Sequence, residues 1–184
     1  SKLARDHVTV ALTGDGGDEL FAGYERFRAA RLAGQYRRLP EWVHRGAATV
    51  AARWPQGTGY RDLGRRALRF VTAARLPLAE QYLGWVGVMS PELVNDLLIE
   101  RGAHSLTHFE SYFHIANDGD PLPTLLDVNM RSYLPDDLLI KADRTSMAAS
   151  LEARSPFLDH VLVEFAATLP ASLKLRGSAG KFIL

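Results

Sequence analysis

The five residues Gly14-Asp15-Gly16-Gly17-Asp18 combine features that bind a phosphorylated ligand through a metal ion. Glycine lets a ligand approach the backbone closely, and carboxylates bind hard cations such as Mg²⁺, which also accept phosphate oxygens. Two carboxylates alone would repel a phosphate, so the composition predicts a divalent cation shared with a nucleotide or pyrophosphate. The alternative is an ordinary loop in which both carboxylates accept backbone hydrogen bonds.

The flanking sequence predicts how this turn is positioned. Residues 7–12 alternate apolar and polar side chains with β-branched residues, which is typical of a strand. After the turn, apolar residues recur at helical spacing, with Asp18 suited to the N-cap and Gly34 to the helix end. A ligand at such a strand–turn–helix lies beyond the strand's carboxyl end, where free N–H groups favour anions.

The remaining sequence predicts helices separated by proline- and glycine-containing turns. Tryptophans within these helices are expected in the core: Trp42, Trp54 and Trp85. The expected helices are 41–54, 60–76, 77–85, 90–102, 105–116, 122–134 and 155–169.

Composition excludes several classes of protein. The chain has 184 residues, 47% of them apolar, and no cysteine, so disulfides, thiolate metal sites and a cysteine nucleophile are excluded. Neither a membrane span nor a signal-peptide apolar region is expected, which predicts a cytoplasmic soluble protein. Residues 1–75 carry a charge of +7 and residues 76–184 a charge of −6. Because recognition aromatics are not interleaved with the arginines, solvated helix faces are favoured over nucleic-acid binding.

The predicted strand at 7–12 is isolated in sequence. Residues 173–175 are the best other strand candidate, and a lone strand has two unpaired edges. This imbalance predicts that the chain begins inside a larger domain and is a fragment. It also predicts that the strand edge is disordered or mediates self-association.

Three other groups could carry chemistry. Asp137 and Lys141 are four residues apart and predict an exposed ion pair on one helix face. His104 and His108 have the spacing of zinc ligands but lack the glutamate of the zincin pattern, so ordinary histidines are expected. Lys181 follows a glycine-containing loop, where its ammonium could contact a phosphate or remain solvated.

The segment TGDGGDELFAGY resembles the acidic glycine-rich motif of glutamine-hydrolysing asparagine synthetases, in their C-terminal synthetase domain. Thr13 stands where serine is usual. Two further blocks agree with the family in order and spacing: YLPDDLLIKADRTSMAASLEARSPFLDH at 133–160 and LPASLKLRGSAGKFIL at 169–184. The resemblance covers essentially the whole chain, although residues 28–118 match only as generic helical sequence.

The resemblance implies a fold and a domain organisation. Residues 1–184 would be part of a synthetase domain, with a strand–turn–helix at 7–33 and a helical remainder at 40–184. The expected fold is mostly α: the helical C-terminal part of an α/β adenine-nucleotide alpha-hydrolase-like domain, with one strand of its parallel sheet. The family's pyrophosphate loop and glutaminase domain would lie outside this chain, so the fragment alone is expected to be inactive.

The implied function is ATP-dependent amide formation, in which the side-chain carboxylate of aspartate is adenylated and glutamine-derived ammonia attacks it. ATP and Mg²⁺ are the implied cofactors, with no nucleic-acid or membrane partner. Asp18 would bind Mg²⁺, and Lys181 would be catalytic. Arg154 and Asp159 would be structural. The implied substrate- or nucleotide-binding residues are Gly14, Asp15, Gly16, Gly17, Asp143 and Arg144.

Two alternatives stay open. β-Lactam synthetase-like and other amide-forming relatives share the domain but use other carboxylates. A helical interaction module without catalytic activity would need no upstream sequence, and the glycine turn and isolated strand argue against it.

Overall fold

A computed structural model describes residues 1–54, 63–89, 91–98, 109–113 and 120–184. The fold is mostly helical, as predicted, with one small parallel sheet and one short antiparallel ribbon. Within the described ranges, no helix is long and apolar enough to cross a bilayer.

The chain forms two compact units, with the division inside helix α3. The first comprises Ser1–Arg28 and Leu122–Leu184, and the second Ala29–Pro121. The elements of the N-terminal part are α1 (Lys2–Arg5), β1 (Val10–Leu12), α2 (Gly17–Phe21) and α3 (Glu25–Tyr36). Those of the second unit after α3 are α4 (Glu41–Arg53), α5 (Leu63–Ala73), α6 (Leu78–Val86), α7 (Pro91–Leu97) and a 3-10 turn (Ser111–Phe113). Those of the C-terminal part are α8 (Leu122–Arg131), a π-helix (Leu134–Leu139), α9 (Ile140–Met147), β2 (Glu152–Arg154), a 3-10 turn (Pro156–Leu158), α10 (His160–Thr168), α11 (Ala171–Lys174), β3 (Leu175–Arg176) and β4 (Ala179–Gly180).

Strand β1 has a parallel partner that the sequence did not reveal. It pairs with β2 in the register Val10↔Glu152 and Leu12↔Arg154, and the ladder extends by a hydrogen bond from the N–H of Thr13 to the carbonyl of Arg154. The prediction that the chain offers β1 no partner is therefore wrong. β2 escaped notice because it is three residues long and two of them are charged.

The core of the first unit forms where α2, α8 and α10 meet. Leu20, Phe21 and Ala166 are buried there. Partly buried side chains from α8, from the 3-10 turn at Pro156–Leu158 and from α10 and its C-terminal end pack around them. The ring of Phe157 lies edge-to-face on that of Phe21, with centroids 6.1 Å apart. This packing fixes the first turn of α2, and therefore the end of the acidic turn, against the C-terminal part of the unit.

Aromatic contacts organise the second unit. Tyr36 at the end of α3 packs on His44 of α4 and on Phe70 of α5, and the carbonyl of Tyr36 lies 2.9 Å from Nε2 of His44. Further along, Tyr82 stacks on Phe109 with centroids 5.5 Å apart. The predicted helices at 41–54 and 77–85 are confirmed as α4 and α6.

Several local predictions differ from the structure. Asp18 is not an N-cap: α2 starts at Gly17, with Gly16 in the capping position. The single helix expected from Asp18 to Gly34 is two helices, because α2 ends at Phe21 and left-handed Ala22 follows it. Gly34 is not a helix end, because α3 continues to Tyr36. The helix expected at 155–169 is instead a 3-10 turn followed by α10, and Asp159 caps α10 by accepting hydrogen bonds from two backbone N–H groups.

The tryptophan prediction is also wrong for Trp42 and Trp54, and Trp85 is only partly buried. Trp42 is 75% exposed and Trp54 is 54% exposed. The face of α4 that is buried carries His44 and Ala51 instead. Some predictions lie outside the described residues. They are the pair His104 and His108, residues 60–62 of the helix expected at 60–76, and most of the helix expected at 105–116.

Candidate active site

The acidic turn connects β1 to α2, and packing requires one of its glycines. Gly16 has a φ of 86°, in the left-handed region, and a Cβ built on it would overlap the side chain of Leu158. Any other residue would therefore suffer both backbone strain and a collision. A Cβ on Gly14, by contrast, would meet nothing within 4 Å, so that part of the turn is open.

Asp15 accepts hydrogen bonds through both its side chain and its backbone carbonyl. Its carboxylate accepts a 2.8 Å hydrogen bond from the hydroxyl of Thr13, and its carbonyl oxygen accepts one from the hydroxyl of Ser155. Ser155 follows β2 directly, so the parallel pairing of β1 and β2 brings it under the turn.

Asp18 and Lys181 meet at this turn. The Nζ of Lys181 lies 3.0 Å from Oδ1 of Asp18, and the two side chains are 40% and 39% exposed. A carboxylate and an ammonium therefore lie together beside the N-terminal turn of α2, both open to solvent. The sequence predicted roles for each residue but did not predict that they form an ion pair.

The backbone at the end of α2 brings Lys181 to this position. Its N–H donates to the carbonyl of Phe21 at 2.8 Å, and its φ is 53°. Ala22 is left-handed as well, with a φ of 58°. Non-glycine residues adopt such φ values rarely, and they cluster at functional sites. Two of the three such residues in the described part of the chain, with Ser150 as the third, lie at this junction.

A partly buried polar network connects α2 to the start of α3 and to α8. Glu19 is 1% exposed and accepts a hydrogen bond from the hydroxyl of Tyr24. Burial, together with this hydrogen bond and the charge of Glu19, raises the pKa of Tyr24 well above its ordinary value. The guanidinium of Arg26 stacks 3.8 Å from the Tyr24 ring centroid and donates to the Oδ1 of Asn129 at 2.7 Å. The network links α2 and α3 to α8.

The other residues implied to be near substrate lie apart from this pair. Asp143 and Arg144 are exposed on α9, a helix that contacts β2. In the part of the chain that the structure describes, neither side chain has a hydrogen bond or ion pair to Asp18 or Lys181. The predicted pair of Asp137 and Lys141 is present, with a distance of 2.7 Å, and its hydrogen bond raises the pKa of Lys141.

The side chains at the turn fit a metal–phosphate ligand better than a metal alone. Among the described residues, no three His, Asp or Glu side chains converge as a metal site. Mg²⁺, however, is commonly held by one or two carboxylates, with phosphate oxygens and water completing its coordination. Asp18 can supply such a carboxylate, and the adjacent ammonium of Lys181 can bind the phosphate.

Sequence reasoning missed the residues that hold this arrangement together. Gly23, Gly180 and Ser155 were assigned no role, although Gly23 belongs to the motif that carries the resemblance. The hydrogen bond between Tyr24 and Glu19 was missed as well. The sequence signal for these residues was their place within the quoted motif blocks. The contacts of Ser155 with Asp15 and of Gly180 with Ala22 are long-range.

Comparisons with known proteins show the family of this chain. The family model described as asparagine synthase matches residues 1–184. The chain is 32% identical over 187 residues to asparagine synthetase (glutamine-hydrolyzing) 1 of Bacillus subtilis (strain 168), covering 100% of this chain and 28% of that protein. It is 32% identical over 186 residues to a putative asparagine synthetase (glutamine-hydrolyzing) of Mycobacterium bovis, with the same coverage.

A more distant relative is named as an amidase. Amidase chyE of Penicillium rubens is 29% identical over 186 residues, covering 92% of this chain and 27% of that protein. No solved structure matches the chain. The chain spans little more than a quarter of the length of these relatives. Since the family model covers every residue from 1 to 184, the chain belongs to the asparagine synthase family.

Proposed function

We propose that the protein containing this chain is an ATP-dependent carbon–nitrogen ligase that makes asparagine from aspartate and glutamine-derived ammonia. The observation that carries this proposal is the ion pair of Asp18 and Lys181 at the strand–turn–helix junction. A carboxylate and an ammonium in contact suit a ligand that carries both a cation and phosphates, such as a nucleotide or pyrophosphate. The family supports the choice of reaction.

In the proposed reaction, an oxygen of the aspartate side-chain carboxylate attacks the α-phosphorus of ATP, and pyrophosphate leaves. Ammonia then attacks the acyl carbon and AMP leaves, which gives the amide. Mg²⁺, when bound, would neutralise phosphate charge. Asp18 would hold the metal–phosphate group, and Lys181 would donate hydrogen bonds to the phosphoryl oxygens as charge builds on them.

The remaining residues of the turn position these two groups. Gly14 is exposed and leaves the backbone accessible, whereas Gly16 accommodates Leu158 and Gly17 is buried against the ring of Phe157. Asp15, fixed by Thr13 and Ser155, would face substrate or support the metal-binding carboxylate. Asp143 and Arg144, on the helix beside β2, would contact the substrate or nucleotide. Strands β1 and β2 would form part of an adenine-nucleotide alpha-hydrolase-like sheet.

The test is pyrophosphate exchange into ATP by the full-length protein. With Mg²⁺ and aspartate present, labelled pyrophosphate should enter ATP without ammonia, because adenylation is reversible. Exchange that requires no carboxylate would argue against adenylation of a substrate acid. The 184-residue chain alone should show no exchange above background.

A second candidate is amide formation on another carboxylate. It is favoured by the similarity to a protein named as an amidase, since that name differs from those of the asparagine synthetases. The same exchange assay with a panel of carboxylates separates the two. Exchange supported by aspartate favours asparagine synthesis, and exchange supported only by a different acid favours the alternative.

A further inference from the structure

Two glycines, Gly23 and Gly180, lie beside the ion pair. Neither has a φ value that requires glycine. Gly23 has no left-handed φ, and its N–H donates to the carbonyl of Asp18 at 3.0 Å. A Cβ built on Gly23 would overlap Oδ1 of Asp18 and lie 2.5 Å from Cε of Lys181. Its missing side chain therefore makes room for the ion pair itself.

Gly180 makes room for the backbone that carries Lys181. A Cβ on Gly180 would overlap the carbonyl oxygen of Ala22 and lie 3.3 Å from Cα of Gly23. Strand β4 therefore passes in direct contact with the chain after α2, where the N–H of Lys181 reaches Phe21. Unlike the flexible end of a side chain, this backbone cannot move aside easily.

We propose that Gly23 and Gly180 are positioning residues that set where the Lys181 ammonium lies relative to Asp18. This inference rests on the proposed function, in which Lys181 acts on the phosphoryl group. The two glycines act in different ways. Gly180 allows the backbone that carries Lys181 to pack directly on the chain after α2, and Gly23 leaves space for the Lys181 side chain. A methyl group at either position displaces the ammonium without removing it.

The experiment compares Gly23→Ala and Gly180→Ala in the full-length protein with Gly34→Ala and Gly46→Ala. A Cβ at either control position meets nothing within 4 Å. For each variant, kcat and KM are measured with ATP, Mg²⁺, aspartate and ammonia. Calorimetry gives the dissociation constant of Mg-ATP, and thermal unfolding gives Tm.

We expect kcat to fall about 100-fold in Gly23→Ala and Gly180→Ala, since a misplacement of about 1 Å has effects of that size. The dissociation constant of Mg-ATP should change no more than about threefold in Gly180→Ala, whose Cβ does not meet Asp18, because the lysine acts chiefly in the transition state. The two controls should retain wild-type kcat. Wild-type kcat in both Gly23→Ala and Gly180→Ala would overturn the proposal.

A stability measurement separates positioning from general loss of folding. Gly23→Ala should lower Tm in the wild-type background, and lower it less in Asp18→Ala/Lys181→Ala, where both overlapping side chains are shortened. An equal loss of Tm in both backgrounds would overturn the proposal, even if Gly23→Ala were too unstable for kinetics. Lys181→Ala alone tests the proposed function: if that variant keeps wild-type turnover, the proposed function fails, whatever the glycine variants do.

Discussion

The ammonium of Lys181 contacts the carboxylate of Asp18 at 3.0 Å, and both groups remain about two-fifths exposed. Ion pairs of such exposure contribute only about 0–1 kcal/mol to stability, because water screens them. Replacing either residue should therefore leave the fold intact. The chain also offers a matched control, the exposed pair of Asp137 and Lys141, at 2.7 Å.

Asp18→Asn should abolish Mg-ATP turnover in the full-length protein while changing Tm by only a few degrees. The amide keeps the size of the side chain but loses the charge that a hard cation needs. Asp137→Asn is the control and should keep wild-type turnover. Turnover measured as pyrophosphate release checks this, and a fully active Asp18→Asn would remove the metal role.

Lys181→Ala should lower kcat and kcat/KM together, with the dissociation constant of Mg-ATP nearly unchanged. An interaction made chiefly in the transition state has this effect, whereas a ground-state phosphate contact would raise only KM. Lys141→Ala removes another ion-paired lysine, which is 62% exposed, and should change neither constant. Steady-state kinetics with ATP as the varied substrate decide between the two roles.

Tyr24→Phe should lower the free energy of unfolding by about 1–3 kcal/mol, because the buried carboxylate of Glu19 would lose its hydrogen-bond donor. Tyr36→Phe is the matched control. In the described part of the chain, the buried hydroxyl of Tyr36 has no hydrogen-bond partner, so its removal should cost nothing. Urea unfolding of both variants measures the difference, and equal losses would contradict the role of Glu19.

Alkaline pH should weaken the wild type more than Tyr24→Phe. The pKa of Tyr24 is raised in the folded protein by burial and by Glu19, so the unfolded chain releases this proton first. The stabilisation is complete below the unfolded value of about 10 and is lost as pH rises above it. The difference in unfolding free energy between wild type and Tyr24→Phe should therefore be smaller at about pH 11 than at about pH 8. A difference that is the same at both pH values would argue against this effect.

Gly34→Ala should raise the free energy of unfolding by about 0.4–1 kcal/mol. Gly34 lies within α3, without a left-handed φ and with no atom within 4 Å of a built Cβ. If Gly34 instead ended the helix in a left-handed conformation, alanine there would destabilise the protein. Chemical denaturation of Gly34→Ala against wild type distinguishes these outcomes.

The strand–turn–helix around Asp18 could be predicted because its signals are local. Alternating apolar residues, clustered glycines and helical spacing lie within one short segment, and each limits the backbone conformation. The details at its ends could not be predicted. Asp18 suits an N-cap in isolation, but its side chain is used by Lys181, which is distant in sequence.

Long-range features left little trace in the sequence. Glu152 and Arg154 are exposed charged residues, and no periodicity over three residues marks a strand. Helical spacing predicted α4 correctly, yet it did not say which face is buried, and so Trp42 was assigned to the core. The space required beside Gly23 depends on Asp18 and Lys181 together, which only the folded arrangement reveals.

The parallel pairing of β1 with β2 has a consequence for how the chain folds. The hydrogen bond from Ser155 to the carbonyl of Asp15 joins residues 140 positions apart, so the acidic turn becomes rigid only after a very long loop has closed. Contacts of such sequence separation slow folding. The closure entropy, however, rises by only about 0.6 kcal/mol for each doubling of loop length. A change in chain length between α3 and α8 would therefore cost little closure entropy, whereas α2, α3 and α8 themselves support the geometry at Asp18.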